Sequence, residues 1–90
     1  MDFITAKEAR ELTDKALLTT YSKEIKRINN EIFNNATKGA TKITATFYYE
    51  SDDFLETAKK APLFFKTLGY KILNEYNYSG SHQYVFIISW

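Results

Sequence analysis

No cysteine occurs among the 90 residues, which excludes a disulfide framework, a thiolate nucleophile and a zinc ribbon and makes a reducing, cytoplasmic setting the expectation. Glycine is nearly as scarce. The three glycines stand at 39, 69 and 80, too far apart to form a phosphate-cradling loop. No apolar run approaches the roughly 18 residues of a membrane helix, and Met1 to Ala6 lacks the basic-then-apolar pattern of a secretion signal, so no membrane partner is expected. An excess of one charge is missing too. Twelve Lys plus Arg stand against eleven Asp plus Glu, far from the basic surplus that marks a dedicated duplex-binding domain. No low-complexity tract or long linker divides the chain, which reads as a single domain over residues 1–90.

What is present is apolar and aromatic. With 44% hydrophobic and 17% aromatic residues, one core can close without metal or disulfide support. Thr5-Ala6-Lys7-Glu8 has the form of a capping box, so a helix should begin at Ala6. Ala9, Leu12, Ala16, Tyr21, Ile25, Ile28 and Ile32 recur mostly three or four apart, and Lys38-Gly39 supplies a C-terminal stop. A continuous helix from Ala6 to Thr37 would measure roughly 48 Å. That exceeds the width of so small a domain, so the helix either bends near Thr19-Thr20, where β-branched residues cluster and the stripe loses register, or projects toward another subunit.

From Thr41 the period becomes two, with Ile43, Ala45, Phe47 and Tyr49 on one side and Thr44, Thr46 and Tyr48 on the other, which predicts a strand. Ser51-Asp52-Asp53 opens a second helix carried by Leu55, Ala58, Ala61, Phe65 and Leu68 to a stop at Gly69. Pro62 lacks the amide that would bond Ala58 and predicts a kink, or a break into two short helices, at Ala61-Pro62. Tyr70 to Tyr78 alternates with Ile72, Tyr76 and Tyr78 on one side, Ser79-Gly80-Ser81-His82 is turn chemistry, and Gln83 to Trp90 is apolar on both faces, as an interior strand is. The expected fold is α+β in the order α-β-α-β-β, with a three-stranded sheet of strand order 1-3-2, a split β-α-β unit. Both helices then lie on one face, and the other bears Thr44, Thr46, Tyr48, Leu73, Val85 and Ile87, too apolar to be comfortably bare.

Catalytic patterns are weak. His82 is the only imidazole, and Ser81 or Ser79 beside it lacks both an orienting group and an oxyanion-hole pattern, so a solvated turn histidine is the better reading. Glu50, Asp52, Asp53 and Glu56 form an acidic cluster that suits a helix N-terminus better than a metal. No cofactor is implied. Lys71, Tyr76, Tyr78, His82 and Tyr84 concentrate rings and cations in the C-terminal hairpin beside Asn74, Asn77 and Gln83, the chemistry that stacks bases and holds phosphates, although cross-strand aromatic packing accounts for the same rings. Lys23, Lys26 and Arg27 on the first helix make a second basic group, which a solvated helix face would also explain.

The run Ile4-Thr5-Ala6-Lys7-Glu8-Ala9-Arg10-Glu11-Leu12-Thr13 resembles the opening of small accessory proteins of tailed bacteriophages and prophages. The similarity continues through Ala36 and Gly39 closing the long capped helix, Leu68-Gly69-Tyr70-Lys71 closing the second, and a final Ile87-Ile88-Ser89-Trp90. Pro62 departs from that pattern. The resemblance implies a protein of the host cytoplasm that binds a host protein, sequesters a host defence signal or regulates phage assembly, rather than an enzyme. The expected function is thus non-enzymatic binding of a host defence component or a small nucleotide, by a homo-oligomer whose subunit contacts bury the long helix and the open sheet face. A module with only protein partners comes next. A single-stranded nucleic-acid binder is third, because the four-stranded RNA-recognition pattern is missing.

Overall fold

The computed structural model describes residues 3–90. The first helix, α1 (Ala6–Thr19), begins where the capping pattern places it, with the Glu8 amide donating to Thr5 Oγ1 at 3.1 Å. The long helix is two. After α1 the chain bends at Thr20 and Tyr21, where the Tyr21 amide reaches five residues back to the Ala16 carbonyl at 3.1 Å, and α2 (Ser22–Thr37) sets off anew. The bend has a core-side cause, since it lets the buried Tyr21 ring pack on Phe47 and Phe54 at centroid distances of 5.3 and 6.3 Å. Of α1 only Leu17 is buried, whereas α2 buries Ile25, Ile28 and Ile32 at helical spacing.

Strand β1 (Lys42–Tyr48) buries Ile43, Ala45 and Phe47 in strict alternation. A 3-10 turn, Asp52–Phe54, leads into α3 (Leu55–Thr67), which runs without interruption past Pro62. The expected break into two short helices is absent. The Pro62 ring is fully buried, so its packing offsets the one hydrogen bond that its missing amide costs. Helices α2 and α3 end alike: Gly39 (φ +94°) and Gly69 (φ +97°) take the left-handed conformation, and the residues after them, Ala40 and Tyr70, donate back to Asn35 and Phe65, the double closure that requires such a residue.

Strands β2 (Lys71–Tyr78) and β3 (Gln83–Ser89) follow, joined by a 3-10 turn whose left-handed residue is His82 (φ +52°) and not Gly80. The sheet order is β1-β3-β2, both outer strands antiparallel to the central β3, so β1 and β2 are parallel and joined through α3, as the pattern predicts. The core lies on one face. Ile28, Ala58, Ala61 and Phe65 from the helices meet Ala45, Phe47, Phe86 and Ile88 from the strands with no solvent exposure, each large side chain contributing about 1.5–3 kcal/mol of burial.

One feature of β2 departs from its sequence pattern. Leu73 pairs with Ile87 and Tyr76 with Val85, so three steps on β2 match two on β3, a bulge at Asn74-Glu75 with Asn74 in the left-handed region (φ +51°). An extra residue reverses every side chain beyond it. Tyr76 and Tyr78 therefore do not share the side of Ile72, as simple alternation predicts. They join Leu73 on the open face, while Glu75 and Asn77 turn to the core side and accept from the Tyr84 and Tyr49 hydroxyls at 2.9 and 2.5 Å.

Candidate functional site: the open face of the sheet

The register places four cross-strand rows on the face away from the helices. In order along the sheet they are Lys42-Ser89-Lys71, Thr44-Ile87-Leu73, Thr46-Val85-Tyr76 and Tyr48-Gln83-Tyr78. Adjacent strands lie about 4.8 Å apart, so the two lysines, and likewise Tyr48 and Tyr78, are roughly 10 Å apart across β3. Tyr48, Tyr76 and Tyr78 are 47, 59 and 50% exposed, enough to offer a ring surface while their strands stay fixed. Tyr76 and Tyr78 stand with ring centroids 4.5 Å apart and planes tilted by 55°. No carboxylate side chain occurs in any row, although acidic and basic residues are nearly equal in number in the whole chain.

Arg27 borders this face at the free edge of β1. Its guanidinium bonds the Glu24 and Glu31 carboxylates, each at 2.8 Å, donates to the Thr46 carbonyl, and lies 5.4 Å from the centre of the Tyr48 ring. Burial opposes its charge, but the two carboxylates outweigh that effect and raise its pKa. Glu24 also accepts from the Tyr48 amide at 3.5 Å. Two groups of an otherwise open strand edge are thus satisfied by α2, which fixes Tyr48 in place and blunts the edge.

The residues singled out from the sequence separate into four groups. Lys71, Tyr76 and Tyr78 lie together on the open face. Tyr84 does not, being 7% exposed and part of the core, because β3 directs its even-numbered residues toward the helices. His82 sits in the turn, its ring centroid 5.5 Å from that of Tyr49 and its Nε2 3.6 Å from an Asp52 carboxylate oxygen, while Ser81 Oγ bonds the Tyr78 carbonyl instead. No serine–histidine pair forms there. Lys23 and Lys26 are exposed on α2, which covers the opposite face, and Arg27 is committed to its carboxylates. Lys42 and Tyr48 were missing from the sequence candidates. Alternation does place Tyr48 on the outer side, but only the register aligns it with Tyr78.

Two cavities lie beside or away from this face, the first touching it through Tyr48. One of about 310 Å³ is lined by Tyr21, Lys23, Tyr48 and the carboxyl-bearing Glu24 and Glu50 at the β1 edge, a balance that disfavours an anion. A groove of about 340 Å³ between α1 and α3 is lined by Leu17, Leu18, Leu63 and Phe64 and crossed by the Asp14–Lys60 ion pair. Among the described residues no three His, Cys, Asp or Glu side chains gather as metal ligands, and no helix is long and apolar enough to cross a membrane. Comparison with protein-family models, curated proteins and solved structures gives no match to this chain.

Proposed function

We propose that this chain is a non-enzymatic binding protein whose open sheet face receives a ligand bearing both planar rings and negative charge, a nucleotide or a nucleic-acid strand. The observation that carries this reading is the segregation on that face of three half-exposed tyrosines and two lysines with no carboxylate side chain among them. Rings stack on bases irrespective of sequence, and lysines hold phosphates as point charges. Binding without turnover also agrees with what the resemblance to phage accessory proteins implies, namely retention of a host component or a nucleotide signal. Self-association belongs to the same reading. Helix α1 leaves Leu12 and Leu18 more than half exposed, and the radius of gyration, 14.4 Å, exceeds the roughly 12 Å of a compact chain of this length.

A thermal-shift series with mononucleotides, cyclic nucleotides and short single strands tests the ligand class. A true ligand at 100 times its Kd stabilises by about 2.7 kcal/mol, and Tyr78→Ala should weaken it by roughly 5- to 150-fold, the worth of one stacked base. No shift with any of these compounds would reject the proposal in favour of a protein partner on the Thr44-Ile87-Leu73 row. Light scattering at tens of micromolar should give a mass above that of the monomer, and a monomeric mass would remove self-association from the reading.

A further inference from the structure

Resting on that ligand class, we infer that the face holds a single strand laid along β3 from the lysine row to the tyrosine row, and not a mononucleotide. Tyr48 stands six residue steps beyond Lys42 on the same strand, which at about 3.3 Å each puts roughly 20 Å between the lysine row and the terminal rings. A single nucleotide is shorter than that span. Phosphates at Lys42 and Lys71 and a base at Tyr78 therefore belong to different nucleotides of one chain.

Surface shape leads to the same occupant. Mononucleotide sites are concave and enclose most of their ligand, whereas these rows form one face of an open sheet on which Tyr48, Tyr76 and Tyr78 stand about half exposed. A flat platform gains affinity by repetition, one ring or one cation per nucleotide, and a strand supplies that repetition. Duplex does not fit. Its bases are already stacked on each other and cannot reach the tyrosines, and two lysines fall far short of the phosphate contacts that duplex binders make. Gln83 lies between Tyr48 and Tyr78 in the last row, where its amide meets the edge of a base held by either ring.

Two lysines neutralising two phosphates set a definite salt dependence, a slope of about −1.4 in log affinity against log salt for a single strand. Fluorescence anisotropy with labelled oligothymidylate and oligouridylate of increasing length, on the intact chain, is the experiment. Affinity should rise with length until the strand spans the face and then level off. Joint Lys42→Ala and Lys71→Ala replacement should bring the slope toward zero, Tyr78→Ala should weaken binding roughly 5- to 150-fold, and Tyr78→Phe, which keeps the ring, should restore it. Circular dichroism confirms that each of these surface variants is folded. A mononucleotide binding as tightly as the longest strand, with the Tyr78 dependence intact, would overturn the strand and leave the ligand class standing. Strand binding indifferent to both the tyrosine and the lysines would overturn both, as would failure of every probe to bind.

Discussion

Three buried tyrosines give an internally controlled test of the hydrogen-bond assignments, because the same Tyr→Phe change should move stability in opposite directions. Tyr21, Tyr49 and Tyr84 are 6, 5 and 7% exposed, so removing a hydroxyl alters apolar burial little in any of them. The Tyr49 hydroxyl donates to Asn77 Oδ1 at 2.5 Å and that of Tyr84 to Glu75 Oε1 at 2.9 Å, whereas the Tyr21 hydroxyl is buried with no partner among the described residues. An unsatisfied buried hydroxyl costs about 1–3 kcal/mol, so Tyr21→Phe should stabilise by that order while retaining the ring contacts with Phe47 and Phe54. Loss of a satisfied bond costs about 0.5–1.5 kcal/mol with a neutral acceptor and about 1.5–3 with a charged one, so Tyr49→Phe should destabilise slightly and Tyr84→Phe more. In a domain of this size each kcal/mol moves Tm by about 4–8 °C. Differential scanning calorimetry at neutral pH resolves such shifts, with urea titration as the check that the unfolding slope is unchanged. A Tyr21→Phe protein that melts below the native chain would refute the assignment by showing that its hydroxyl is bonded, the Glu50 amide being the nearest candidate.

The Tyr84 phenol is pushed up from 10.0 to about 12 by burial and then by its bonded Glu75 carboxylate. The folded chain therefore keeps a proton that the unfolded chain loses, its stabilising contribution is complete below about pH 10, and alkaline melting should show it falling away up to about pH 12, a decline that Tyr84→Phe removes. Arg27→Ala should cost about 1 kcal/mol by urea denaturation, since the cation is partly exposed, and should increase aggregation seen by light scattering as the Thr46 carbonyl at the β1 edge is freed. Nothing lies within 4 Å of a side-chain carbon added at Gly69, so Gly69→Ala should cost only the backbone penalty of φ +97°, about 1–2 kcal/mol. A shift near zero in the urea midpoint would show that the α3 cap does not need that conformation.

Local chemistry was legible in the sequence: Thr5 starts α1 and Gly39 and Gly69 stop α2 and α3, because caps act over a few bonded neighbours. The change of period at Thr41 marks β1, and the two-sided apolar character of Gln83 to Trp90 makes β3 central, which with antiparallel pairing yields the order 1-3-2. Positions decided by packing were not legible. The bend at Tyr21 exists because the core receives that ring, and α3 continues through Pro62 because the proline is buried, neither of which is written in helix propensity. The face was the largest change. Nothing in the alternation from Lys71 to Tyr78 reveals an extra residue, and Asn74, a side chain tolerant of the left-handed region, is its only local trace. Since strand side chains have a period of two, that single bulge moved Tyr76 and Tyr78 from the predicted side of Ile72 to the open face. Only the pairing of both outer strands with β3 brought Tyr48 level with Tyr78, and Lys42 level with Lys71.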